Sequence, residues 1–365
     1  MKQQPPQTIN SGFQNAYQPH LDGLRGAAII LVILAHIGFG RVIPGGFGVS
    51  LFFFISGLLI TGLLINEFNS SNTINLKNFY LRRVIRLYPA LVFMTVLSVI
   101  LLLIYHSRVQ LLAILSSLFY FANYYYSYFK PPATNGFDDI FNIVWSLSIE
   151  EHFYLVFPVL FYLLYRSGNK LLYLSLVVCL CAFVYRYYIL NTGINDYAAT
   201  MRIYVVTEAR VDSIMWGCIA ALLIYKNPAK WYINIIRSPW SLFIGIIIIL
   251  SPAVFSNRLF AESFRFTRQS LGFMFIVPCI GYLAQNSIIR KIFEHNVLVF
   301  IGKLSYSLYL FHWVAVTVAN HYFKFATPVW LCLMLSLTIL LSLTSYYLVE
   351  RPFVELRKRF GSHAR

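Results

Sequence analysis

Charge is scarce in this chain. Only 12% of its 365 residues are Asp, Glu, Lys or Arg, against about a quarter in soluble domains, which excludes an ordinary water-soluble globule. Acids are scarcer than bases, 13 against 29, for a net charge of +16. Cysteine is sparse too. Cys179, Cys181, Cys218, Cys279 and Cys332 all lie inside apolar runs, with no spacing of a disulfide framework or a zinc site, so no metal is expected. The polar start, Met1 to Pro19, lacks the apolar core of a cleaved signal peptide, so the first apolar run is expected to serve as insertion signal. No internal repeat and no low-complexity linker occurs, and the residues after Arg351 are too few for a second domain.

What is present in excess is apolar. The chain is 59% hydrophobic and 18% aromatic, with Tyr and Trp gathered near the ends of apolar runs, as in an interfacial belt. Eleven windows approach the twenty or so residues needed to cross a bilayer: 21–40, 45–65, 86–106, 110–128, 143–165, 171–190, 204–225, 240–256, 269–285, 298–319 and 329–348. Lys and Arg fall in short clusters between them, the pattern of cytoplasmic loops and not of a nucleic-acid surface. With the N-terminus inside and 110–128 re-entrant, the groups Lys77–Arg86, Arg166–Lys170, Lys226–Arg237, Arg290–Lys291 and Arg351–Arg359 share the inner side. The outer loops are then 131–140 (with Asp138 and Asp139), 191–202, 256–268 and 321–328. Arg258, Arg265 and Arg268 in the third are the exception. The expected fold is an all-α polytopic membrane protein of about ten transmembrane helices plus one re-entrant or short segment. A polar N-terminal segment occupies 1–19, the membrane domain 20–353 and a basic tail 354–365, with both termini cytoplasmic.

Ionisable residues inside apolar runs mark candidate function, because hydrocarbon tolerates them poorly. Arg25 and His36 are separated by ten residues, about 16 Å along a helix. Glu150, in WSLSIEEHFY, lies at a depth matching His36, so the two form a candidate acid–base pair in which the carboxylate fixes the imidazole tautomer. Glu208 and Asp212 flank Arg210 in TEARVDSIMWG and share a helical face. That group reads equally as an acceptor-binding patch or as an ion-pair knot between helices. His312, in SYSLYLFHW, is a second candidate polar group or a packing histidine. On the inner side, Arg82 and Arg86 share one face with Arg83 beside them, and forked guanidiniums suit phosphates. Ser56 and Gly57, in GVSLFFFISG, are read as a place of close backbone approach.

Together these segments resemble the acyltransferase-3 family of integral membrane acyltransferases over about His20 to Phe353. The resemblance rests on Arg25 and His36 at their spacing, on GVSLFFFISG, FYLRRVIRLYP, WSLSIEEHFY, RVDSIMWG, SYSLYLFH and the terminal ERPF. It implies transfer of an acyl group, usually acetyl, from cytoplasmic acyl-coenzyme A to a hydroxyl of a cell-surface or exported glycan such as O-antigen, capsule or exopolysaccharide. It also implies the bacterial inner membrane and the standalone form that lacks a hydrolase-like domain. By position it places catalytic roles on His36, Glu150 and Arg25, and coenzyme contacts on Arg82, Arg83 and Arg86, with Ser56 and Gly57 nearby. Glu208, Arg210, Asp212 and His312 are the residues expected at the acceptor. The rival reading is a transporter or flippase of a lipid-linked sugar, whose path the same charges would line.

Overall fold

The computed structural model describes residues 17–42, 45–129, 137, 139–192, 196–251 and 258–357. Every regular element among them is helical, and the chain is an all-α polytopic membrane protein. Helix α1 (Pro19–His36) opens on a proline, whose missing N–H would be unpaired there anyway, and stops before Gly38, at φ +111°. Next come α2 (Gly45–Ser71) and α3 (Leu76–Ile104), the latter capped by the Asn75 side chain, which accepts the Asn78 N–H at 2.9 Å. Helix α4 (Leu111–Leu118) has eight residues, about 12 Å of rise against a hydrocarbon core of about 30 Å. It breaks at Tyr120, held at φ +59°, into short turns over Ala122–Tyr124 and Tyr125–Phe129. The 110–128 window is therefore not one straight span.

Beyond it run α5 (Trp145–Leu164), α6 (Lys170–Asn191), α7 (Asp196–Val205), α8 (Thr207–Ala221), α9 (Lys230–Arg237), α10 (Trp240–Leu250) and α11 (Arg258–Tyr282). The chain closes with α12 (Ile288–Phe293), α13 (Asn296–Lys303), α14 (Ser305–Tyr322), α15 (Pro328–Thr344), a π-helical turn over Ser345–Glu350, and α16 (Arg351–Arg357). Two expected outer loops differ from expectation. The segment 191–202 carries most of α7, and α11 begins at Arg258, so Arg265 and Arg268 sit on helix. Residues 131–136 and Asp138, expected in an outer loop, and the tail 358–365 lie outside the described residues.

Among the described residues five helical stretches are long and apolar enough to cross a membrane, or seven if α9–α10 and α13–α14, bent by 96° and 70°, each count as one span. Three other expected windows fold as α1, α8 and α11, but ionisable residues dilute their apolar character: Asp22 and Arg25, then Glu208 to Asp212, then Glu262 to Arg268. Val96, Ile100 and Leu103 on α3 are 52%, 47% and 61% exposed. At i, i+4, i+7 they form one apolar stripe, the face a membrane helix turns to lipid. The inward faces of α1, α2, α3, α5, α8 and α14 share one core.

The two ends of the bundle are held by different contacts. At one end Arg166 donates to the Asn72 carbonyl, Lys226 to the Gly168 carbonyl, and Arg290 to the Leu283 carbonyl, while Arg237 lies over the Tyr282 ring. At the other, Tyr105 meets Phe137, His321 and Tyr322, and the Trp313 indole donates to the Asp139 carbonyl.

Candidate functional site

Two close helix approaches set the frame. A Cβ on Gly302 would stand 1.8 Å from the Asp22 carbonyl oxygen, and one on Gly26 would stand 2.3 Å from that of Leu298. Only glycine permits this contact of α13 with α1. It delivers Ser305, the first residue of α14, to Arg25, whose guanidinium donates to the Ser305 hydroxyl at 3.1 Å.

Arg25 then faces a cavity between α1, α2, α3, α5 and α14. Arg83 and Arg86 of α3, Ser56 of α2, Glu150 of α5 and Tyr309 of α14 share its wall. The Ser56 hydroxyl donates to Glu150 Oε1 at 2.9 Å, and Arg25, Arg83 and Arg86 all act electrostatically on that carboxylate. Arg83 also lies over the Tyr154 ring, 4.3 Å from its centroid. Three guanidiniums face a single lining carboxylate, so the cavity has a surplus of positive charge in apolar surroundings. Such a place receives an anion with forked donors.

Several expected neighbours are elsewhere. Arg82 turns off the cavity to Glu67, 3.3 Å away, because α3 presents Arg83 and Arg86, three residues apart, to the interior. Gly57 packs on α8, where a Cβ would stand 2.0 Å from the Ile214 carbonyl oxygen; it belongs to a helix crossing and not to the cavity wall. The expected bond between Glu150 and His36 does not form. His36 Nδ1 donates to the Val32 carbonyl at 2.9 Å, so its own helix fixes the tautomer and leaves the lone pair on Nε2. The ring packs against His312, centroids 5.1 Å apart, and edge-on to Trp313 at 5.2 Å.

The Glu208–Arg210–Asp212 group divides three ways. Glu208 accepts from the Tyr124 hydroxyl at 2.9 Å. Arg210 is fully buried, bonded to the Ser50 hydroxyl at 3.1 Å, with its guanidinium 3.7 Å from the Phe266 ring centroid. Asp212, also fully buried, pairs with Arg186 at 2.8 Å and accepts from Thr267 at 2.6 Å. Arg186 further donates to the Ser263 carbonyl at 2.7 Å. For Asp212, then, the ion-pair knot is what the structure forms.

Four contributors went unassigned in the sequence. Ser305 and Tyr309 lie in SYSLYLFH, four residues apart on one helical face; the Tyr309 hydroxyl bonds Ser146 Oγ at 2.6 Å. Glu350, the acid of ERPF, is buried on the π-helical turn, bonded by Ser307 and within electrostatic reach of Arg86 and Arg25. A lone acid ending an apolar run was the available signal. Arg186 carried the same kind of signal, a single cation inside an apolar window.

A membrane-embedded, arginine-lined cavity defines a class, the membrane proteins built to receive an anionic group. The chain belongs to the family described as "Acyltransferase domain", which matches residues 19–347. It is 32% identical to a "Putative O-acetyltransferase" of Staphylococcus aureus strain MSSA476, over 92% of this chain and 57% of that protein. It is 30% identical to "O-acetyltransferase OatA" of Staphylococcus aureus strain NCTC 8325 / PS 47, over 96% of this chain and 60% of that one. The chain thus spans a little over half the length of these relatives. No solved structure matches it.

Proposed function

We propose that the protein is a membrane-bound O-acetyltransferase that takes its acyl group from an acyl-coenzyme A and gives it to a hydroxyl of an envelope or exported glycan. The observation that carries this reading is the Arg25–Arg83–Arg86 wall around Glu150, in a chain of the acyltransferase family. Arg83 and Arg86 would hold donor phosphate, and Arg25, nearer His36 on the same helix, would steady the thioester. Glu150, held by Ser56, balances part of their charge.

Farther along α1, His36 acts as general base. Its Nε2 lone pair, left bare by the Val32 bond, takes the proton of the acceptor hydroxyl as that oxygen bonds the acyl carbon. The carbon–sulfur bond breaks and the coenzyme leaves as its thiol, taking up the proton. Glu208, at the aromatic turn of Tyr124, remains a candidate contact for the acceptor.

The test is purified protein with acetyl-coenzyme A labelled in the acetyl group and envelope glycan as acceptor. Label is expected to move to the glycan as an alkali-labile ester, and His36→Ala should lower the rate by about 100-fold or more without loss of membrane insertion. Glycan movement across vesicles with no consumption of the thioester would instead establish the transporter reading.

A further inference from the structure

One imidazole suffices for the reaction just described, yet two are present. His312 has no exposed surface. Its Nδ1 donates to the Leu308 carbonyl at 3.0 Å, and its Nε2 has no partner. His36 is anchored the same way, by the carbonyl four residues earlier on its own helix. Each ring is therefore fixed as the Nδ1–H tautomer with its basic nitrogen at the opposite corner. The rings come from different helices, α1 and α14, and stand 5.1 Å apart at 48°. An unpartnered buried lone pair costs free energy, because the loss of its water is uncompensated. A proton placed on His36 would put an N–H on a ring that packs against a second imidazole whose own Nε2 has no partner.

The position of His312 along α14 adds a second, independent point. Ser305, Tyr309 and His312 follow one helical face at intervals of four and three. Ser305 is bonded to Arg25, Tyr309 lines the cavity and lies 5.7 Å from His312 between centroids, and His312 meets His36. The arginine cavity and the base are thus joined through His312.

We propose that His312 is a positioning residue, the second half of a two-imidazole proton carrier, and this rests on the acyl-transfer reading. When His36 Nε2 removes the hydroxyl proton, His312 Nε2 accepts a hydrogen bond from the resulting imidazolium. That bond holds the imidazolium toward the cavity until the same proton passes to the leaving sulfur. The O–H and C–S bonds break, the O–C and S–H bonds form, and both imidazoles end neutral, so no other reactant is consumed.

The test uses His312→Asn and His312→Ala in the purified full chain, with wild type run beside them. The asparagine amide can still donate to the Leu308 carbonyl but offers no basic nitrogen. Its kcat is expected to fall by about 100-fold while KM for acetyl-coenzyme A stays within about twofold, which also reports a folded donor site. In His312→Ala, added imidazole should restore turnover and pyrrole, equal in shape but without a basic lone pair, should not. Wild-type kcat in the asparagine variant, equal recovery by both rings, or no recovery by imidazole would overturn the pairing while leaving acyl transfer intact. An inactive wild type would remove the acyl-transfer reading and the carrier with it.

Discussion

Arg82, Arg83 and Arg86 show how a single residue's bearing on a helix decides its work. Sequence places the trio on one helix, yet the pair that lines the cavity is Arg83 and Arg86, while Arg82 meets Glu67. Replacing Arg83 by Gln is therefore expected to raise KM for the acyl donor by about tenfold, the value of one charge-assisted hydrogen bond. Replacing Arg82 by Gln should leave KM within about twofold, since a partly exposed ion pair is worth little. Donor kinetics of the two variants check both. Arg186 and Asp212 are the opposite case, a pair with no exposed side-chain surface. Asp212→Ala strands a buried guanidinium and should cost about 3–5 kcal/mol, read as a lower melting temperature in detergent. Arg186→Met with Asp212→Leu should recover much of that loss, because the charge is then removed with its partner. Equal melting of the single and double variants would show that the pair is not what stabilises α6 against α8.

At the level of helices, the glycine contacts decide where functional side chains meet. Much of the candidate cavity was legible as motifs, because Arg25 and Glu150 interrupt apolar runs where hydrocarbon would reject them, Arg83 and Arg86 belong to a basic cluster, and Ser56 lies in GVSLFFFISG. The link between Glu150 and His36 was not legible in that way. Apolar windows fix neither depth nor rotation: Glu150 shares the cavity with Arg25, about three helical turns before His36 on α1, while His36 turns toward α14. Gly57 was legible as a point of close approach, but its partner is the Ile214 backbone and not a ligand. Gly302 matters more for the site, since its contact with Asp22 seats Ser305 beside Arg25. Gly302→Val should lower the melting temperature and weaken donor binding together. Gly62→Ala, whose added Cβ would lie at an ordinary 3.5 Å from the Tyr225 ring, should be neutral or slightly stabilising through helix propensity. Thermal melts with and without coenzyme A separate these outcomes. A Gly302→Val protein that melts lower but binds the donor as wild type would break the link from this crossing to the site.

Across the whole molecule, the cationic loops give an orientation to test. The loops after α2, α5, α8 and α11 meet at one end, with Arg166, Lys226, Arg237 and Arg290 among their contacts. These are groups that the positive-inside rule assigns together once the 110–128 window fails to cross, and that window is indeed broken. The opposite end carries the C-termini of α1, α3 and α14, with Gly38 near Phe325 and Tyr105 bonded to Tyr322. If α1, α8 and α11 cross despite their ionisable residues, the spans total ten and both chain ends lie on the cationic side. That side would face the cytoplasm, where coenzyme A is found, and would put His36 toward the acceptor. In a cysteine-free background, Asn286→Cys at the cationic end should resist a membrane-impermeant thiol reagent in intact cells and react once the cells are opened. Lys324→Cys, at the other end, should react in both. Labelling of Asn286→Cys in intact cells would invert the molecule, and a donor from the cytoplasm could then reach the arginines only by passing His36 first.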